Sequence, residues 1–116
     1  MYSYRGEEIM HEIAIAKKIV EDLSAYKNIK AVTIELGELA PITAEELEDA
    51  LSALANWKLK IIKKESIVEC ECGYKGRAKI RERKHDIVIY ECPNCGKIPE
   101  IIQGGDIVIK QVEIED

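Results

Sequence analysis

Two cysteine pairs constrain this chain more than any other feature. "CECG" supplies Cys70 and Cys72, "CPNCG" supplies Cys92 and Cys95, and positions 73 to 91 separate the pairs. Four sulfurs converging on one point would close that intervening segment into a loop pinned at its base. Cys-x-x-Cys brings two sulfurs to one side of a tight turn, which Pro93 stiffens and Gly96 completes by taking positive φ. Cys70-x-Cys72 is one residue shorter, so its backbone must turn more sharply, with Gly73 placed to help. The apolar runs, such as "IVIY" at 87 to 90, are far too short to cross a bilayer, and the N-terminus has no basic-plus-apolar leader. A cytoplasmic location with no membrane partner is therefore expected, and there four cysteines hold a metal rather than form disulfides. Four thiolates at about 2.3 Å satisfy tetrahedral zinc and leave no open position for a substrate, so the site reads as structural zinc. Rubredoxin-type iron uses similar ligands and stays the alternative metal, with a rubredoxin-like electron carrier as its functional counterpart.

Around the cysteines the pattern is that of a small α+β protein, and 116 residues can bury one moderate core. From about Glu8 to Ala25, Ile13, Ala16, Ile19, Val20 and Leu23 recur at helical spacing. "AVTIEL" at 31 to 36 alternates as a half-buried strand and Gly37 ends it. Thr43 and Glu46 form a T-x-x-E capping box that opens a second helix, with Leu47, Ala50, Leu51 and Leu54 on one side. Trp57, Leu59 and Ile61 begin a second strand, read as continuing through "SIVEC" after a bulge or bend at "IIKKE". "GGDIVIKQVEIED" adds a third strand in which Val108, Val112 and Ile114 can share a face. The expected fold is two helices packed on a three-stranded sheet, with a small zinc-ribbon-like four-cysteine module inserted. Residues 1–69 plus 104–116 would form the α/β domain and residues 70–103 the zinc-binding domain.

Between the cysteine pairs, Lys75, Arg77, Lys79, Arg81 and Arg83 occupy every second position and share a face if the segment is extended. One reading is a zinc-ribbon module that binds nucleic acid or protein through this basic stripe at 75–84. Against nucleic acid stand a net charge of −5 and the lack of aromatic residues interleaved as stacking platforms. The plainer reading is that cations offset the negative charge of a four-thiolate centre and solvate a hairpin. No nucleophile–base pair and no phosphate-binding glycine loop appears, so an enzyme is not expected.

"MHEIAIAKKIV", "VTIELGEL", two cysteine pairs each followed by glycine and "GGDIVIKQVEIED" stand in the order found in the HypA family of nickel-insertion accessory proteins, which this chain resembles over nearly its whole length. The resemblance implies a nickel-binding α/β module joined to a structural zinc module, with Cys70, Cys72, Cys92 and Cys95 on zinc. It implies His11 as the principal Ni(II) ligand, with Met10 and Glu12 as its motif neighbours. It also implies delivery, with a partner GTPase of the HypB type, to the [NiFe] hydrogenase large subunit, and in some organisms service to urease maturation. A free amine, the next deprotonated amide and an imidazole form a planar nitrogen set that suits Ni(II). Nine residues, "MYSYRGEEI", precede the motif here, and with them in place Met10 has no free amine. His85, in a spacer longer than the family commonly shows, is a candidate to complete a four-nitrogen nickel site with His11; the alternative is an exposed histidine near a hairpin tip. On spacing alone His11 is a polar residue near a helix start. A homodimer formed by exchanging zinc modules is also allowed.

Overall fold

The computed structural model describes residues 3–5, 12–84 and 87–115. A short strand β1 (Ser3–Arg5) precedes helix α1 (Glu12–Asp22), which tightens into a 3-10 turn at Leu23–Ala25. Strand β2 (Ile29–Gly37), helix α2 (Ala44–Leu54) and strand β3 (Lys58–Lys64) follow. Five shorter strands come next: β4 (Ile67–Glu69), β5 (Lys75–Gly76), β6 (Lys79–Lys84), β7 (Ile87–Glu91) and β8 (Glu100–Gln103), before the long β9 (Asp106–Ile114).

The main sheet runs β1-β9-β2-β3. β2 and β3 are parallel, as the α2 crossover between them requires, while β9 lies antiparallel to both β2 and β1. Both helices cover one face. Ile15, Ala16, Ile19 and Leu23 from the first, with Leu47 and Leu51 from the second, close on Val32, Ile34, Leu36, Ile107 and Ile109. The start of α2 is set by the capping box read from the sequence: the Glu46 amide donates to Thr43 Oγ1 at 3.1 Å and the Thr43 amide donates to Glu46 Oε1 at 2.9 Å.

The structure departs from the expected fold in three ways. The sheet has four strands rather than three, because Ser3–Arg5, ahead of the family-like motif, pairs with Asp106–Val108 on the free edge of β9. The inward face of β9 is carried by Ile107, Ile109 and Val112 rather than by Val108, Val112 and Ile114, and Ile114 is exposed. Its pairing with β2 skips from Gln111 to Ile109, so Lys110 is an extra residue that flips the alternation. The third departure lies in the strand read through "SIVEC", which is two strands. The chain leaves the main sheet after Lys64, turns at Glu65–Ser66 and enters a separate three-stranded sheet ordered β5-β4-β8, beside the two-stranded β6–β7 hairpin.

Short connections fix the polarity. Residues 26–28 lead from α1 into β2, and residues 55–57 lead from α2 into the parallel β3. Both helices therefore start at the end of the sheet where β2 and β3 finish. At that end the chain departs for the second sheet and returns from it.

Candidate metal centre

Each cysteine pair sits on a tight turn closed by two backbone hydrogen bonds. In the second turn the Gly96 amide donates to Cys92 O at 2.9 Å and the Cys92 amide to Lys97 O at 2.8 Å. The first turn repeats the arrangement one residue shorter: Gly73 N–H donates to Cys70 O at 3.0 Å and Cys70 N–H to Tyr74 O at 2.9 Å. Gly73 and Gly96 take φ of 97° and 78°, a region costly for residues with a Cβ, and so the shortened Cys-x-Cys turn still presents both sulfurs to one side.

The four sulfurs converge. Cys70 Sγ lies 3.4 Å from Cys95 Sγ, Cys72 Sγ lies 3.7 Å from Cys92 Sγ, and all four fall within 4.8 Å of one another. A tetrahedral ion with bonds of about 2.3 Å places its sulfurs about 3.8 Å apart, so the group fits such an ion, whereas a disulfide would need about 2.05 Å. The leading cysteine of each pair is buried and the trailing one exposed, which leaves the centre at the rim of the second region. Desolvation works against ionising Cys92, but the amides of Cys95 and Asn94 overcome it and bring its pKa down to about 7. Cys95 benefits from the Lys97 amide, yet the Cys70 sulfur and desolvation push it up to about 12. Thiols packed this closely cannot all ionise unaided, and a divalent cation between them supplies the missing charge.

The basic stripe does not form one free face. Arg77 Nη2 pairs with Glu38 Oε1 at 2.8 Å and Arg81 Nε with Glu91 Oε1 at 3.1 Å. Arg83 donates to the backbone carbonyls of Glu38 and Ala40. A register shift between Ile80 and Glu82 further breaks the alternation. Three of the five cations are thus engaged within the chain, by carboxylates and backbone carbonyls rather than by the thiolates that the plainer reading of the stripe expected. Met10, His11 and His85 lie outside the described residues, and Glu12 is the first residue of α1. Glu38 and Ser66, which join the two sheets, carried no sequence signal: an acid after a strand and a serine in a bend are commonplace.

Two layers of α/β structure joined to a closed thiolate cluster define a small metal-binding protein. The family described as "Hydrogenase/urease nickel incorporation, metallochaperone, hypA" matches residues 10–114. Proteins named hydrogenase maturation factor HypA include one from Methanocella arvoryzae, 34% identical over 118 residues that cover 91% of this chain and 99% of the relative. Another, from Methanosarcina barkeri, is 35% identical over 130 residues, covering 91% and 96%. The fold matches the solution structure of the Ni metallochaperone HypA from Helicobacter pylori with a TM-score of 0.60 at 18% identity, covering 90% of this chain and 97% of that one. The chain belongs to the HypA family of metallochaperones and is not an enzyme. Among the described residues no helix is long and apolar enough to cross a membrane.

Proposed function

We propose that this chain holds Ni(II) as a transient cargo through His11, keeps zinc permanently in Cys70, Cys72, Cys92 and Cys95, and delivers the nickel during [NiFe] hydrogenase maturation. The observation that carries this reading is the closure of the thiolate cluster, whose four sulfurs lie within 4.8 Å of one another. A metal bound there keeps no ligand position for exchange, so a cargo ion needs a second, open site. The family match begins at Met10, which supports Met10-His11-Glu12 as that site. Zinc is the d10 ion suited to four thiolates in a fixed tetrahedron, whereas Ni(II) prefers a planar nitrogen set built from an amine or amide and an imidazole.

His85 joins His11 in this proposal. Helix α1 starts at Glu12, at the end of the sheet where β2 finishes, and Arg83 ties β6 to the carbonyls of Glu38 and Ala40 at that same end. The two elements that flank the histidines thus come to one end of the molecule. Residues 1–69 with 104–116 form the nickel-binding part and 70–103 the zinc-binding part, with β4 as the strand through which they share a sheet. The recipient is the hydrogenase large subunit and the partner a cytoplasmic GTPase of the HypB type; urease accessory proteins are a second client. Exchange of zinc modules between protomers would give a homodimer.

Intact mass and metal analysis of the protein from its native host test this together. The expected result is one zinc per chain that survives dialysis and nickel that does not. Strong visible colour from iron in the thiolate site would contradict it. Nickel titration of His85→Ala decides the second histidine, since unchanged affinity and absorption would remove it from the site.

A further inference from the structure

The two regions meet in a hydrogen-bond network that the metal chemistry does not use. Glu38, on the turn after β2, accepts through Oε2 both the backbone N–H and the hydroxyl of Ser66, each at 2.6 Å. Arg77 bridges the same carboxylate, Nη2 to Oε1 at 2.8 Å and Nε to Oε2 at 3.0 Å. Ser66 is 2% exposed, and its Oγ accepts the Ala78 amide at 3.1 Å. Backbone bonds add to this: the Glu38 amide donates to Lys64 O and the Leu39 amide to Gly104 O, both at 2.8 Å. A Cβ on Gly37 would meet Gly104 O at 2.2 Å, and one on Gly104, at φ +91°, would meet Ser66 Cα at 2.6 Å. Leu39 then crosses into the second region and packs with Val68 and Ala78.

Two crossing segments alone would leave the cysteine-bearing region free to swing. Here the crossings are packed without space for a methyl group, and side chains from both regions converge on one carboxylate. Charge-assisted, bidentate bonds to a group that is 13% exposed resist exchange with water. Removing that carboxylate strands the buried Ser66 donors and releases the exposed Arg77 guanidinium to water.

We propose that Glu38 is a positioning residue: with Ser66, Arg77 and Arg83 it locks the four-cysteine region onto the α/β region as one rigid body, holding the β6–β7 hairpin at the end of the sheet where α1 begins. The consequence for nickel rests on the function proposed above, whereas the lock itself does not.

Backbone ¹⁵N relaxation on the zinc-loaded full chain tests it. The wild type should tumble with one correlation time across both regions. In Glu38→Ala the regions should report separate correlation times with one zinc per chain retained, and nickel affinity should fall about tenfold. Glu38→Gln, which keeps an acceptor for Ser66 but loses the ion pair, should restore part of both. Because losing Glu38 risks unfolding, Arg83→Ala gives an independent result: freed motion of the 79–91 amides with β4, β5 and β8 unchanged. Separate tumbling in the wild type, common tumbling in a folded Glu38→Ala, or an unchanged 79–91 hairpin in Arg83→Ala would each overturn the lock, whereas undiminished nickel affinity in a decoupled Glu38→Ala would remove only its consequence for nickel. Nickel binding that survives His11→Ala would sink the nickel reading while leaving the relaxation result to judge the lock.

Discussion

Behind the main sheet, a core running from Ile15 to Ile109 buries thirteen apolar residues among those described, whereas the second region gathers only Leu39, Val68 and Ala78, and Leu39 is lent to it by the turn after β2. The first region can be held by burial alone, since each enclosed Leu or Ile contributes about 1.5–3 kcal/mol. The second cannot, and the four sulfurs that close its two turns at the rim stand in for the burial it lacks. On the proposed function, a metal bound there would do the work of a hydrophobic core, which is why a closed ligand sphere suits it. A metal meant to be handed on needs the opposite kind of site, open and built from exchangeable nitrogen donors. In the proposed function, one chain thus separates a metal kept for shape from a metal kept for transfer.

The contrast is broken most directly by taking the metal away. Chelation, or Cys92→Ser, should abolish signal dispersion across residues 67–103 in a ¹H–¹⁵N spectrum while the helical circular dichroism of α1 and α2 persists. The affinity at stake is about 10–16 kcal/mol at neutral pH for a structural zinc site. Loss of both regions together would show that they are not separately stabilised. Next in size, Leu47→Ala, at a fully enclosed position, should cost about 2–5 kcal/mol in urea unfolding of the zinc-loaded protein, with zinc content unchanged beforehand.

The junction between the regions should respond to acid. The Arg77 guanidinium holds Glu38 well below the ordinary value of 4.5, at about 2, with desolvation opposing and the Ser66 hydroxyl and amide assisting. A carboxyl depressed in the folded state stabilises fully above its unfolded value, and that contribution is lost as pH falls from about 4.5 towards 2. The stability gap between wild type and Glu38→Gln should therefore narrow over that window; comparing the two zinc-loaded proteins cancels acid-driven metal loss common to both. A gap independent of pH would mean that the ion pair adds nothing. Smallest, Thr43→Ala removes one half of the α2 capping box and should cost about 1 kcal/mol, without effect on either metal.

What could be read in the amino-acid order follows the same division. The Thr43–Glu46 capping box, most of the helical stripe of α1 and the alternation of β2 are local patterns set by burial against one face, and they stand in the structure, except that Ile15 rather than Ile13 faces the core and Leu54, at the end of α2, is exposed. The cysteines announced a metal site by type and spacing. Their shortened first turn works because Gly73 adopts positive φ, a device visible in "CECG" before any coordinates. Less legible were features decided by partners distant in sequence. Apolar alternation runs on both sides of Glu65–Ser66, and so the break at "IIKKE" marks a bend without showing that the chain passes there from one sheet to another. The extra residue at Lys110 that turns Ile107 and Ile109 inward depends on the register against β2. The arginines of the basic stripe look free until Glu38, far away in the chain, is brought to Arg77, and Glu91 to Arg81.

Nickel titration by calorimetry of the zinc-loaded chain, run beside His11→Ala, tests the division of labour most directly. Removing residues 1–9, which gives Met10 a free amine, should raise nickel affinity by about tenfold or more, as expected for an added nitrogen donor in a planar set. His11→Ala should abolish nickel binding in both lengths of chain and leave one zinc in place. Nickel that binds equally well without the imidazole, or that enters only by expelling zinc from the four cysteines, would contradict the account.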